Sequence, residues 1–284
     1  MARNKQEMVL QELRPGQSVE LLKALHILTR DGRINQDSRR KLKQVYHLYQ
    51  FIEPLLTQVI ADKGAVALAD IGAGKSYLGF ILYDLFFKAR DDASHVYGVE
   101  ARSELVEKSV ALAKELGYAR MSFLDLPVAE AAASSRFSAT LDIVTALHAC
   151  DTATDDAIRF ALQKQARYIV LAPCCQAEVA ATLRKHKGAA LADSRNGALT
   201  EVWRHPLHTR EFGSHLTNVL RCLQLEAHGY QVNVTELVGW EHSMKNELII
   251  ATYKDLPRAR PAQRLRETLE KFGLVELTER FAAI

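Results

Sequence analysis

The chain has 284 residues, with 37 Lys+Arg against 34 Asp+Glu for a formal net charge of +3, and 48% of it is hydrophobic. That length allows one large α/β domain with an appendage or two modest domains, and the near balance of charge excludes a surface that binds polyanions everywhere while leaving room for a local basic patch. No stretch reaches the roughly 18 uninterrupted apolar residues of a membrane helix, and "MARNKQEMVLQELRPGQ" lacks the apolar core of a signal peptide, so a soluble cytoplasmic protein with no membrane partner is expected.

From Ser18 to about Asp62, apolar residues recur at helical spacing in "VELLKALHILTR" and "VYHLYQFIEPLLTQVI". Two helices are predicted, with "DGRINQDS" as the turn and Asp37 or Ser38 capping the second. "RRKLKQ" places Arg39, Arg40, Lys41 and Lys43 on that second helix, as an RNA-facing stripe or as a solvated face. Residues 1–62 are therefore expected to form an N-terminal helical segment.

From Ala65 onward short apolar runs alternate with longer amphipathic stretches: "AVALADI", "HVYGVE", "MSFLDL", "LDIVTALHA", "ARYIVLAP", "GYQVNVTEL" and "NELIIATY". Seven strands separated mostly by helices predict an α/β fold with a doubly wound, largely parallel sheet, the last two strands close enough to pair antiparallel. Few open α/β sheets end this way; the Rossmann-like methyltransferase fold is one. The domain is expected over 63–256. Within it, 177–229 is longer than a crossover needs and carries Arg184, Lys185, Lys187, Arg195, Arg204 and Arg210, so it is the expected site of substrate recognition, or a solvated insertion. After Leu256 a linker and a basic amphipathic helix are expected, a C-terminal tail over 257–284. The cysteines Cys150, Cys174, Cys175 and Cys222 show no CxxC spacing, which predicts reduced thiols and no metal site.

"ALADIGAGKSYLGFIL", residues 67–82, has the look of a phosphate loop. However, the first glycine that a Gly-x-x-x-x-Gly-Lys-Ser loop requires is Ala69 here, and Asp70 would repel phosphates. A dinucleotide loop is disfavoured by Tyr77 at the third glycine position. Asp-x-Gly-x-Gly between a strand and a helix remains: Gly72 and Gly74, on either side of Ala73, let the backbone approach a ligand, and Asp70 favours a cationic one. S-adenosylmethionine fits, carrying an ammonium and a sulfonium and no phosphate. A nucleoside also needs an acid at the second strand's end for its ribose hydroxyls, and Glu100 is there; Asp125 ends the third strand, where it can take an adenine amino group. Lys75 lies near the expected methionine carboxylate, or on plain helix surface.

"DIGAGKSYLGFIL", "VYGVE", "ALHACDTATDDAI", "APCCQ" and "GWEHSMKNELIIA" resemble, in that order, the methyltransferase-domain family that includes methyltransferase-like protein 25, the glutathione S-transferase C-terminal-domain-containing protein and the eukaryotic tRNA acceptor-stem 2′-O-methyltransferase. The resemblance runs from about Lys43 to Tyr253. It implies a Rossmann-like class I fold that binds S-adenosylmethionine through Asp70, Gly72, Gly74, Glu100 and Asp125, with His148 closing the fourth strand. The tRNA enzyme's zinc modules have no counterpart here.

Methyl transfer is an in-line displacement at an activated sulfonium, so the enzyme must align the nucleophile and, for a hydroxyl, remove its proton. The Asp-Pro-Pro-Tyr clamp of amine-modifying methyltransferases is absent, and "LHACDTATD" stands in its place. His148 or Asp151 can orient or deprotonate a ribose hydroxyl; equally, His148 can be structural and Asp151, with Thr152 and Thr154, can cap the next helix. Lys245 and Asn246, between strands six and seven, can touch a phosphate or form an ordinary hairpin. Cys174 and Cys175 raise a covalent alternative of the 5-methylcytosine type, although the Pro-Cys and Thr-Cys pattern of those enzymes is missing. The expectation is a methyltransferase acting on RNA, tRNA or rRNA, as a monomer or homodimer. The alternatives are a small-molecule or protein methyltransferase, and a non-catalytic protein that binds the cofactor.

Overall fold

The computed structural model describes residues 13–147, 149–174, 176–185, 201–202, 204–237 and 247–281. In chain order, α1 (Val19–Ala24) and α2 (Gln36–Lys63) precede β1 (Ala67–Ile71), α3 (Tyr77–Leu82), β2 (His95–Glu100), α4 (Ser103–Glu115) and β3 (Met121–Asp125). Then come α5 (Val128–Ala131), β4 (Ile143–Leu147), α6 (Thr152–Gln163), β5 (Tyr168–Ala172), α7 (Glu178–Lys185) and α8 (Pro206–Ala227). The chain closes with β6 (Tyr230–Glu236), β7 (Glu247–Tyr253), α9 (Ala259–Lys271) and α10 (Thr278–Phe281).

The strands form one sheet in the order β3-β2-β1-β4-β5-β7-β6. The first five are parallel, and β7 runs antiparallel to both β5 and β6. The run "YIVLA" of β5 is buried throughout, as a strand covered on both faces must be. By contrast, β6 at the sheet's edge leaves Val234 exposed. The two faces are covered by separate apolar layers, one holding the N-terminal helices with α3, the other holding α6 with Phe137 and Leu225.

The N-terminal helices are part of that core. Leu42, Val45, Leu48, Ile52, Leu56 and Val59 of α2, spaced three and four apart, bury one face in the same cluster as Leu68 of β1 and Phe80 of α3. Buried Asp84 ties the segment down, accepting from the Ser18 N–H at 2.8 Å and from the Tyr118 hydroxyl at 2.7 Å.

Two local expectations are corrected. The first helix ends at Ala24 rather than near Arg30: the chain turns through His26 at φ +56°, and Leu25, Ile27 and Leu28 on either side of the turn are all buried. The cap of α2 is Asn35, whose side chain accepts from the Ser38 N–H at 2.7 Å; Ser38 is buried one turn inside, and Asp37 lies in the first turn.

The stretch 177–229 is largely structural where it is described. α8 buries Leu216, Leu220, Leu223 and Leu225, and α9 with α10 packs against it through Leu265, Leu269 and Phe281. Lys185, Arg204 and Arg210 are ion-paired with Glu276, Glu201 and Glu211, while Lys187 and Arg195 lie outside the described residues.

Candidate functional site

Parallel strands end together, so β1, β2, β3, β4 and β5 bring their terminal residues to one edge, where crevices form in open α/β sheets. The turn after β1 occupies the middle of that edge. Gly72 (φ +64°) and Gly74 (φ +58°) are both left-handed, a conformation that costs an L-residue about 1–2 kcal/mol. A Cβ at Gly72 would stand 3.5 Å from that of Ala149, an ordinary contact, so conformation demands the glycine there. Between them the Ala73 N–H donates to Val99 O at 2.9 Å, fastening the turn to β2.

Ser76, after Lys75 in the turn, is also left-handed at φ +52°, and its buried hydroxyl has no hydrogen-bond partner among the described residues. A Cβ on Gly79 would lie 2.7 Å from that hydroxyl oxygen, so Gly79 makes room for it.

Asp70 is buried beneath this turn, its Oδ1 accepting from the Thr145 hydroxyl at 2.8 Å. Burial pushes its carboxyl up to about 7, against the opposing hydrogen bonds from Thr145 and the Gly79 N–H. Its carboxyl therefore lies beneath the turn and does not reach the surface of the crevice.

Glu100 and Asp125 end neighbouring strands as a registered pair. Oε2 of Glu100 accepts from the Gly74 N–H at 2.7 Å and Oε1 from the Arg102 N–H at 3.1 Å, while the Arg102 guanidinium spans both oxygens at 2.8 and 3.2 Å. Burial pushes this carboxyl up, but the hydrogen bonds from Arg102 and Gly74 together outweigh it and hold it below the usual carboxylate range. Asp125 is exposed and makes no hydrogen bond among the described residues, and Lys75 is likewise exposed at the turn.

Asp151 follows β4 with an unusual backbone, φ +51° and ψ −122°. It stands at the N-cap position of α6, yet its side chain does not cap that helix. Instead Oδ1 accepts from Ala177 N–H at 2.9 Å and Glu178 N–H at 3.3 Å, tying the end of β4 to the start of α7. Cys150 and Cys174, which follow β4 and β5, bring their sulfurs to 3.6 Å. His148, Lys245, Asn246 and Cys175 lie outside the described residues.

A buried polar network behind this edge was not anticipated. Arg221, fully buried on α8, donates to both oxygens of Asp155 (2.7 and 2.9 Å), to Asp151 O at 2.9 Å and to Asn218 Oδ1 at 3.2 Å. Asn218 also receives from Gln176 Nε2 at 3.1 Å and donates to Glu247, which holds His215 Nδ1 at 3.0 Å. The signal was present: an arginine in the apolar run "LTNVLRCLQLEA" needs a buried acid, and Asp155 lies on the facing helix.

The sequence matches the family described as "Methyltransferase domain" over residues 40–182, half of the chain and the half that contains the glycine turn and the strand-end acids. The chain belongs to the methyltransferase-domain family. Its sheet, with the antiparallel seventh strand between β5 and β6, is the Rossmann-like class I methyltransferase fold, and the protein is an S-adenosylmethionine-dependent methyltransferase. No curated protein sequence matches this methyltransferase. Among solved structures it is similar to SAH-bound methyltransferase PaMTH1 of Podospora anserina, at 12% identity and TM-score 0.48, covering 89% of this chain and 95% of that one. It is also similar to the N-terminal domain of human METTL16 with SAH (10% identity, TM-score 0.46, 75% and 70% covered). A third is SAH-bound magnesium protoporphyrin IX methyltransferase of Synechocystis PCC 6803 (16% identity, TM-score 0.44, 83% and 95% covered).

The residues at the edge suit the cofactor. The two left-handed glycines leave backbone accessible, and the carboxylate of Glu100, held low by its hydrogen bonds, and the exposed Asp125 are acceptors of the kind that hydroxyls and amines require. Among the described residues no group of three or more metal-ligating side chains occurs. No described helix is long and apolar enough to cross a membrane.

Proposed function

We propose that this methyltransferase acts on RNA, with tRNA or rRNA as substrate, and that it belongs with the group that includes methyltransferase-like protein 25, the glutathione S-transferase C-terminal-domain-containing protein and the tRNA acceptor-stem 2′-O-methyltransferase. One observation carries the RNA reading. Residues 13–43 hold eight Lys/Arg (Arg14, Lys23, Arg30, Arg33, Arg39, Arg40, Lys41, Lys43) against three acids (Glu20, Asp31, Asp37), a net +5 where the whole chain nets +3. The basic excess is thus concentrated in the segment that borders the glycine turn, as a phosphate-contacting surface requires.

In this reading Gly72, Ala73 and Gly74 offer backbone to the cofactor, Glu100 accepts from its ribose once the exposed Arg102 swings aside, Asp125 meets the adenine, and Lys75 meets the methionine carboxylate. When bound, S-adenosylmethionine supplies a methyl group already activated on a sulfonium. The chain's own work is then to hold the nucleophile in line and to take its proton. Asp151 serves that end of β4, where His148 also belongs: Oδ1 is committed to α7, which fixes the carboxylate and leaves Oδ2 to accept a proton from a ribose hydroxyl. Lys245 is assigned to a substrate phosphate.

The test is incubation of the full chain with methyl-labelled S-adenosylmethionine and separated tRNA, rRNA, protein and metabolite fractions, followed by nucleoside mass spectrometry. Label in one RNA fraction is expected. Glu100→Gln should weaken cofactor binding at least about tenfold, because it removes the charge from the acceptor for two hydroxyls. Label only in protein or metabolites would refute the RNA substrate while leaving the cofactor site intact.

A further inference from the structure

A second concavity lies beside the cofactor crevice. A cavity of about 320 Å³ opens between the turn after α1, the residues following the glycine turn, and one face of α4; its lining includes His26, Lys75, Tyr77, Lys108, Ser109 and Leu112. None of Gly72, Gly74, Glu100 or Asp125 lines it, so it shares only Lys75 with the residues assigned to the cofactor.

Its chemistry is specific. Three basic side chains and no acid face the cavity, and neither Lys75 nor Lys108 makes an ion pair among the described residues. Ser109 is only 4% exposed, lines the cavity, and makes no side-chain hydrogen bond among the described residues. Its hydroxyl oxygen is not sealed in the interior, so it is available to a ligand in the cavity. His26 is held at φ +56°, a conformation a non-glycine residue keeps only where the surroundings impose it. The half-buried Tyr77 adds an aromatic ring, and Leu25, Leu105 and Leu112 an apolar floor.

Two lysines and a histidine call for an anion, the serine hydroxyl for an acceptor oxygen, and the tyrosine ring with its apolar floor for a flat, partly apolar group. About 320 Å³ is at the small end of small-molecule sites and suits a single nucleotide. We infer that this cavity binds a nucleoside phosphate, its phosphate on Lys108 and Ser109 and its base against Tyr77. In the working complex that nucleotide belongs to the RNA strand, beside the residue being methylated. The cavity's ligand class stands on its lining alone; its assignment to an RNA strand rests on the RNA reading above.

The test uses the full chain, with anisotropy of a short fluorescein-labelled oligouridylate across a salt series and calorimetry with uridine monophosphate. Lys108→Ala should weaken the oligonucleotide about fivefold and lower the slope of log affinity against log salt by about one. Ser109→Ala should weaken it about threefold without changing that slope, because it removes a neutral donor. Arg260→Ala, on α9, should bind as wild type, and melting curves of all three variants establish that they fold. Wild-type affinity in both Lys108→Ala and Ser109→Ala would overturn the proposal, as would a wild-type chain that binds neither probe. Binding of the mononucleotide but not the oligonucleotide, lost in Lys108→Ala, supports the cavity with a free nucleotide as its ligand. The RNA reading is judged separately, by methyl incorporation.

Discussion

Arg221 is the most consequential single side chain in the described interior. It is fully buried, and four of the five N–H directions of its guanidinium are used: two on Asp155, one on Asn218, one on the carbonyl of Asp151. Arg221→Met keeps most of the volume but removes both hydrogen bonds that the guanidinium gives the Asp155 carboxylate, itself 4% exposed. Breaking a buried pair from one side costs about 3–5 kcal/mol, and the orphaned Asp151 carbonyl adds about 1–3 kcal/mol. Asp155→Leu alone should cost a similar amount by stranding the arginine. The double variant removes both charges and should be destabilised by far less than the sum, since replacing a buried pair with apolar groups is often close to neutral. Urea unfolding of the four proteins closes the cycle, with a coupling of at least about 2 kcal/mol expected. Additive losses, or a single-variant cost below about 1 kcal/mol, would refute the view that this pair holds the edge of the sheet together.

Two further outcomes follow from buried groups. Between the ordinary carboxylate range and about 7 the folded chain keeps a proton on Asp70 that the unfolded chain has lost, so stability should fall as pH rises through that window and level off above it. Asp70→Asn should flatten this dependence, with a difference on the order of a few kcal/mol between about pH 4 and about pH 8 by urea unfolding; a wild-type profile no steeper than the variant's would contradict the buried, protonated carboxyl. Gly213→Ala on α8 tests close helix packing, because the added Cβ would lie 2.6 Å from Ala180 Cβ and 2.7 Å from its Cα on α7. Helix propensity alone favours alanine by about 1 kcal/mol, but overpacking against backbone costs about 1–3 kcal/mol, so the melting temperature should drop; a rise would mean that the two helices are not in contact there.

The sheet was legible because each strand is a short apolar run set off by polar turns, and because "GYQVNVTEL" and "NELIIATY" stand too close together for a helical crossover. The glycine turn and the acids Glu100 and Asp125 were legible because position at a strand's end is itself a sequence property. What the sequence concealed depends on partners far along the chain. Asp70 reads as a strand-end acid, but its carboxyl is spent on Thr145, 75 residues away. Asp151 reads as a cap for its own helix, yet it caps α7, 26 residues later. The long stretch after β5 reads as an insertion by its length and charge; α8 instead packs Leu216, Leu220 and Leu223 against α7, α9 and α10, and Lys185, Arg204 and Arg210 pair with acids. The early end of α1 was concealed for a related reason, since tertiary burial of Leu25, Ile27 and Leu28 overrides helical propensity.

The position of β7 sets a constraint on biosynthesis. Among the described residues β6 has no hydrogen-bonded neighbour other than β7, and β7 is also the second neighbour of β5. During translation at about 5–20 residues per second, Tyr230–Glu236 emerges ahead of β7 and must wait for it to thread into place. A ribosome stalled anywhere short of Tyr253 therefore carries a chain with an open flank at β5, ready to recruit the wrong strand.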